Sequence, residues 1–257
     1  MVTWERNVVI KSQHEIEIMR EAGKINAMAL NAVREAIRPG ITTGDLDEIA
    51  ETLIREHDAK PAFLGYPGPI PYPATINTSI NEEMVHGIPG KRKLKDGDLI
   101  SIDCGTIFKG FVADSAFSIG VGDTSDKVKH LMEVTEKALE IGISKMRSGN
   151  RLGDVSAAIQ TYVESFGYHV PREYTGHGVG RQMHEGPQVP NYGLPGRGMV
   201  LRPGLTIALE PMVLVGTHHT RVKEDQWTVI SKDGSLTAHF EHTIAVTEND
   251  PQILTQV

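Results

Sequence analysis

The chain repeats itself. Ala29-Leu30, Gly40 and Gly44-Asp45 recur as Ala138-Leu139, Gly149 and Gly153-Asp154, each pair offset by 109 residues. A second match, offset by 107, returns Gly97-Asp-Leu-Ile-Ser-Ile-Asp103 as Gly204-Leu-Thr-Ile-Ala-Leu-Glu210. Phe111-Val-Ala-Asp114 corresponds to Ala238-His-Phe-Glu241, and His86, ahead of its strand, to His184, ahead of its own. Such a repeat confines the chain to two copies of one supersecondary unit that bury their apolar faces together.

Each copy reads as two helices followed by two strands. Ser12 with Glu15 forms a capping box ahead of Ile16, Met19 and Ala22, predicting a helix from about residue 13 into the mid-thirties that Pro39-Gly40 stops. Leu46, Ile49, Ala50, Leu53 and Ile54 fit the helical template from Thr43 to near His57. Residues 61–74 are rich in proline and glycine and read as a long structured loop, of the kind that is often functional. Asp98–Asp103 and Phe111–Ile119 read as strands around a Lys109-Gly110 turn. Helical periodicity returns over Ser125–Met146 and again at Val155, Ala158, Ile159, Tyr162 and Val163. The expected fold is α+β: a single catalytic domain over 1–257, with an internal pseudo-repeat of approximately 12–122 and 126–250. Helices would cover one face of a curved, mostly antiparallel sheet, and the other face would hold a site where the halves meet.

Four acids inside otherwise apolar strands point to what that site does. Leu205, Ile207 and Leu209 alternate with Thr206, Ala208 and Glu210, so Glu210 faces away from the apolar stripe, and Glu241 likewise opposes Phe240, Ile244 and Val246. Asp103 and Asp114 complete two pairs related by the repeat. Four carboxylates converging on one face repel one another, and burying them uncompensated costs several kcal/mol each; divalent cations relieve that conflict. The stretch Tyr174–His184 adds His177 and His184 across glycines expected to let the backbone pass close to something bound. Oxygen ligands with an imidazole suit Mn, Fe, Co or Zn, and two such ions can clamp a water, lower its pKa and polarise a carbonyl, which is hydrolytic chemistry.

Other catalytic signatures are missing. His184-Glu185 is followed by Gly-Pro-Gln and so makes no H-E-x-x-H; there is no G-x-S-x-G, no Walker loop, and Arg181 stands where a dinucleotide-binding glycine would be. A net charge of −7 and a pI near 5.9 give no general pull onto nucleic acid or anionic lipid, and Lys91-Arg92-Lys93 with Lys95 reads as a solvated loop. No apolar run approaches the ~20 residues of a membrane helix, and Met1–Arg6 lacks signal-peptide features, so a cytoplasmic location is expected. The lone Cys104 excludes an intrachain disulfide and a cysteine-based zinc cage, and reads as a core residue.

These motifs resemble the type I methionine aminopeptidases, whose fold is the pseudo-two-fold "pita-bread" arrangement. The resemblance is carried by Ser79-Ile-Asn-Glu-Glu-Met-Val-His86-Gly-Ile-Pro, Ile102-Asp103-Cys-Gly with Asp114, Gly176-His177-Gly-Val-Gly with His184-Glu, Glu210-Pro-Met, Trp227-Thr-Val and Glu241-His-Thr. It implies two divalent ions (Co, Mn, Fe or Zn), one held by Asp103, Asp114 and Glu241 and the other by Asp114, His177, Glu210 and Glu241. It implies that Glu210 assists deprotonation of the attacking water, that His184 hydrogen-bonds the scissile carbonyl region and that His86 contacts the scissile amide nitrogen. The methionine pocket it implies draws on Phe63, Tyr66, Tyr72, Asn77, Met183 and Trp227. Many family members carry a cysteine where Asn77 stands and often an aromatic at Met183, which bears on selectivity rather than on the metal chemistry. The implied activity is removal of the initiator methionine from nascent chains and peptides when the second residue is small, by a cytoplasmic monomer in transient contact with the ribosome, without membrane or specific nucleic-acid binding. An Xaa-Pro aminopeptidase or prolidase shares the fold and ligands, and a non-catalytic pita-bread module is the remaining alternative.

Overall fold

Ser12 starts the first helix by a reciprocal pair of hydrogen bonds, its Oγ accepting from Glu15 N at 3.3 Å and Glu15 Oε2 accepting from Ser12 N at 2.9 Å. The helix runs over Gln13–Ala36 (α1), and Thr42 with Asp45 caps the next, Thr43–Glu56 (α2), in the same way. The other helices are Asp126–Lys145 (α3) and Leu152–Glu164 (α4). The computed structural model describes residues 7–257. Met1–Arg6, and with them the signal-peptide reading, lie outside the described residues.

Positions that recur 109 residues apart do the same local work. Asp45 and Asp154 each sit at the third position of a helix and accept the backbone N–H of the capping residue, Thr42 at 2.9 Å and Arg151 at 2.8 Å. Gly40 and Gly149, with φ of +92° and +89°, make the left-handed turn that precedes each of those helices.

Strand Leu99–Phe108 pairs along its whole length with Phe111–Gly120, and its other edge takes Ile76–Ile80 and Lys60–Pro61. A second sheet runs Gln252–Ile253, His242–Ala245, Thr206–Leu209, Thr175–Gly178, Glu185–Pro190. Every pairing between these strands is antiparallel. The two sheets join at a seam. Ala116 and Glu241 exchange backbone hydrogen bonds of 3.2 and 2.9 Å, and Thr243 Oγ1 both donates to Asp114 O and accepts from Asp114 N. A smaller sheet of Thr220–Val222, Val229–Ser231 and Glu83–Val85 ties the segment before His86 to the second half of the chain.

The first hairpin is longer than its sequence pattern predicts, continuing past Asp103 to Phe108. Its counterpart is shorter: the strand stops at Leu209 because Pro211 has no N–H to donate. The chain resumes as Met212–Leu214, paired with Thr237–His239, and Glu210 occupies the break.

The alternation read from the sequence separates two apolar layers. Leu205, Ile207, Leu209, Ile244 and Val246 join Ile100, Ile102 and Cys104 in the core beneath the helices. Val112, Ala208 and Ala245 project to the other face, into a smaller cluster with Phe63, Tyr72, Val179 and Met183. Asn26 fastens α1 to the first hairpin: its amide donates to Cys104 O and lies near Thr106 Oγ1, and Ser115 Oγ donates to its carbonyl. Among the described residues no helix is long and apolar enough to cross a membrane.

Candidate active site

Register brings the acids together. Gly105 pairs with Asp114 and Asp103 with Ala116, so the two aspartates are diagonal neighbours on one face of the hairpin. Glu241 enters across the seam opposite Ala116, and Glu210 from the break after Leu209. His177 lies on Thr175–Gly178, paired with Ala208, and its Nε2 is 3.8 Å from Asp114 Oδ2 and 3.6 Å from Glu210 Oε1. Its Nδ1 donates to Gly178 O at 2.9 Å, which leaves the Nε2 lone pair facing the carboxylates. The glycines around His177 have a different cause from the one the sequence suggests. A Cβ at Gly176 would meet Ala208 O at 2.6 Å and one at Gly178 would meet Gly186 O at 2.1 Å, so they permit close strand packing rather than approach to a ligand.

Burial sets the electrostatics. It drives the Asp103 carboxyl up to about 7, with no lysine or arginine among the groups that act on it. Asp114, Glu210 and Glu241 are pushed well above the ordinary carboxylate range, first by burial and then by each other's charge and that of Asp103. The imidazoles move the opposite way for the same reason: burial lowers His177 to about 3 and His86 to about 4, in both cases assisted by His184, whose own pKa burial lowers. Without a cation the cluster therefore has neutral imidazoles and carboxyls that hold on to protons, which a bound cation would displace. Asp103 Oδ1, Asp114 Oδ1 and Glu241 Oε1 are buried without a hydrogen-bond partner among the described residues, as ligand atoms turned toward a metal would be. Ligand atoms of Asp114, His177 and Glu241 all lie within 4.8 Å of one another, so the residues present fit divalent ions.

These acids lie in a cavity of about 110 Å³. The structure brings every sequence-predicted site residue to its wall: His86, Asp103, Asp114, His177, His184, Glu210 and Glu241 with Phe63, Tyr66, Tyr72, Asn77, Met183 and Trp227. Asn77 Nδ2 donates to Asp103 Oδ2 at 3.1 Å. His184 lies against His177 with ring centroids 4.2 Å apart and the planes tilted by 48°, and Tyr66 Oη is 2.6 Å from His184 Nδ1. His86, at φ +60°, lies 6.3 Å from the Trp227 ring. Tyr72 stands edge-on to Phe63 and Trp227, and Trp227 Nε1 donates to Ile70 O at 3.0 Å, closing the proline-rich loop over the cavity.

Residues 17–248, the span containing all of these acids and histidines, match the profile of metallopeptidase family M24. The chain belongs to that family. It is 51% identical to the methionine aminopeptidase of Clostridium acetobutylicum over 96% of this chain and 98% of the relative. The crystal structure of a Thermotoga maritima methionine aminopeptidase superposes with a TM-score of 0.94 at 49% identity, covering 97% of this chain and all of that one. A Pyrococcus horikoshii prolidase has a TM-score of 0.79 at 25% identity, and this chain accounts for 65% of it. The fold is the pita-bread fold that these M24 enzymes share.

Three features of this M24 site are not contained in the sequence motifs. His239 is buried beside the acids, its Nε2 3.6 Å from Glu210 Oε2 and 3.7 Å from Glu241 Oε2. The period-2 rule would have found it, since it precedes Glu241 by two residues in an extended segment. Lys11 and Glu185 form a buried ion pair, and Glu185 Oε1 accepts from Arg181 N and Gln182 N, shaping the turn that carries Met183 and His184. Asp47 Oδ1 accepts the N–H groups of Thr75 and Ile76, both at 2.9 Å, and fixes the entry to the strand of Asn77. Neither anchor has a local sequence signal, because each depends on a partner far along the chain.

Proposed function

We propose that this protein hydrolyses the first peptide bond of peptides and nascent chains that begin with methionine, most readily when the second residue is small. What supports the reading is that one cavity combines the carboxylates of Asp103, Asp114, Glu210 and Glu241 and the imidazole of His177 with an apolar lining of Phe63, Tyr72, Met183 and Trp227. Asp103, Asp114 and Glu241 would hold one divalent ion and Asp114, His177, Glu210 and Glu241 a second; Co, Mn, Fe or Zn would supply a Lewis acid for the carbonyl and an activated water.

The remaining steps belong to the side chains. Glu210 takes a proton from the attacking water, a role suited to a carboxylate whose proton affinity burial has raised. As the water oxygen bonds to the carbonyl carbon and the C–N bond breaks, that proton passes to the departing amine. Tyr66, donating to His184 Nδ1, leaves the other imidazole N–H free to stabilise the carbonyl oxygen, and His86 contacts the leaving nitrogen. Phe63, Tyr66, Tyr72, Met183 and Trp227 receive the thioether side chain, and Asn77 orients Asp103 at its edge. Release is confined to one residue because only a free amino terminus completes recognition by the acids and their ions.

The two halves of the repeat act as one catalytic domain, since the seam between them carries Asp114 and Glu241. The setting we assign is a cytoplasmic monomer meeting nascent chains near the ribosome, with no nucleic-acid specificity. The purified protein, stripped by a chelator and reloaded with Co or Mn, should release methionine from Met-Ala-Ser. Turnover of Xaa-Pro peptides alone would assign a prolidase instead, and turnover of neither class with any of the four metals would leave a binding module.

A further inference from the structure

His239 has no place in the mechanism above, yet its side chain is 2% exposed and its Nε2 has no hydrogen-bond partner among the described residues. Its backbone is held on both sides, the N–H donating to Ser118 Oγ and the carbonyl accepting from it, each at 2.9 Å. Ala238 and Phe240 point into the core under the helices, so His239 and Glu241 share the opposite face, toward the acids. Ligand atoms of Asp103, His239 and Glu241 all lie within 4.8 Å of one another. Two atoms bound to one ion at about 2.1 Å are separated by roughly 3 to 4 Å, so small side-chain adjustments close this triad on a metal.

The plainer explanation, a hydrogen bond to a neighbouring acid, fails: separations of 3.6 and 3.7 Å to Glu210 and Glu241 are too long. A buried imidazole that faces carboxylates without a hydrogen bond to them is arranged as a ligand.

We propose that His239 Nε2 is a metal ligand, completing with Asp103 and Glu241 an ion site that otherwise has only oxygen donors. The proposal rests on the two-ion reading given above. It makes the two sites chemically alike, each with one imidazole, and shifts the Asp103 site from Mn toward Fe, Co and Zn, because imidazole nitrogen favours the later ions.

X-ray absorption at the zinc edge of wild-type protein loaded with Zn counts the rings directly through imidazole scattering. Two rings per pair of bound ions are expected. His239→Gln should reduce the count to one and weaken binding of one ion by about tenfold or more, whereas His177→Gln should remove the other ring. If His239→Gln does not fold, by circular dichroism, the wild-type ring count decides alone. Two bound ions sharing a single ring would overturn the role of His239 and leave the two-ion reading standing. Fewer than two bound ions would overturn both.

Discussion

Removing the metal should make this protein lose stability as the pH rises above about 6.5. In the folded chain burial holds Asp103 at about 7, and Asp114, Glu210 and Glu241 are pushed well above their ordinary range by burial and mutual repulsion. Unfolded, all four titrate near ~4. A carboxyl whose folded pKa is raised stabilises most at low pH, and that contribution is lost as pH rises through the folded value. The buried imidazoles act with the opposite sign. His86, His177, His239 and His242, lowered to about 4, 3, 3 and 4, contribute stability that grows with pH and is complete by their unfolded value near ~6.5. Above that pH the imidazoles no longer contribute to the slope.

Between about pH 6.5 and 8.5 the release of the Asp103 proton removes about 1 kcal/mol, or roughly 3 °C in Tm for a chain of this size, and Asp114, Glu210 and Glu241, shifted in the same direction, add to that loss. Metal ligation requires the ionised carboxylates, so the loaded protein escapes this decline and the stabilisation conferred by metal grows with pH by the same amount. Thermal unfolding of chelator-stripped and Zn-saturated protein at three pH values across the window measures it, and taking the difference cancels the titration of surface groups. A difference that stays constant or shrinks as the pH rises would refute the account of a cluster that cannot ionise fully without its cations.

Replacing His177 with Ala should lower kcat by orders of magnitude at saturating metal with the circular dichroism spectrum unchanged; near-normal activity would contradict its assignment as a ligand. Trp227→Ala removes both the hydrogen bond to Ile70 and the edge contact with Tyr72, so KM for methionyl peptides should rise more than kcat falls, and a fall in kcat alone would argue against a pocket role. Lys11→Met leaves Glu185 buried without its cation and should cost about 3–5 kcal/mol in urea unfolding, most of it recovered in Lys11→Met with Glu185→Gln; no recovery would place the loss in packing instead.

The strands Ile76–Ile80, Thr175–Gly178 and Glu185–Pro190 were not legible in the chain itself, whereas the four helices, the two strand pairs related by the repeat and the faces of the acids were. They depend on local rules: Ser12 with Glu15 caps a helix whatever surrounds it, Pro39-Gly40 ends one, and alternation assigns Ile207 and Glu210 to opposite sides of a strand. The repeat added the long-range information, aligning Asp103 with Glu210 and Asp114 with Glu241 before any contact was known. Tertiary structure alone decided what lies between those residues. The seam at Ala116 and Glu241 gives Asp114 and Glu241 their shared position, and burial of the assembled cluster shifts the carboxyls up and the imidazoles down, a property no single residue has. Only the fold set Lys11 against Glu185 and turned His239 toward Asp103, because such pairings depend on distances between segments remote in sequence, and desolvation acts on whatever those segments enclose.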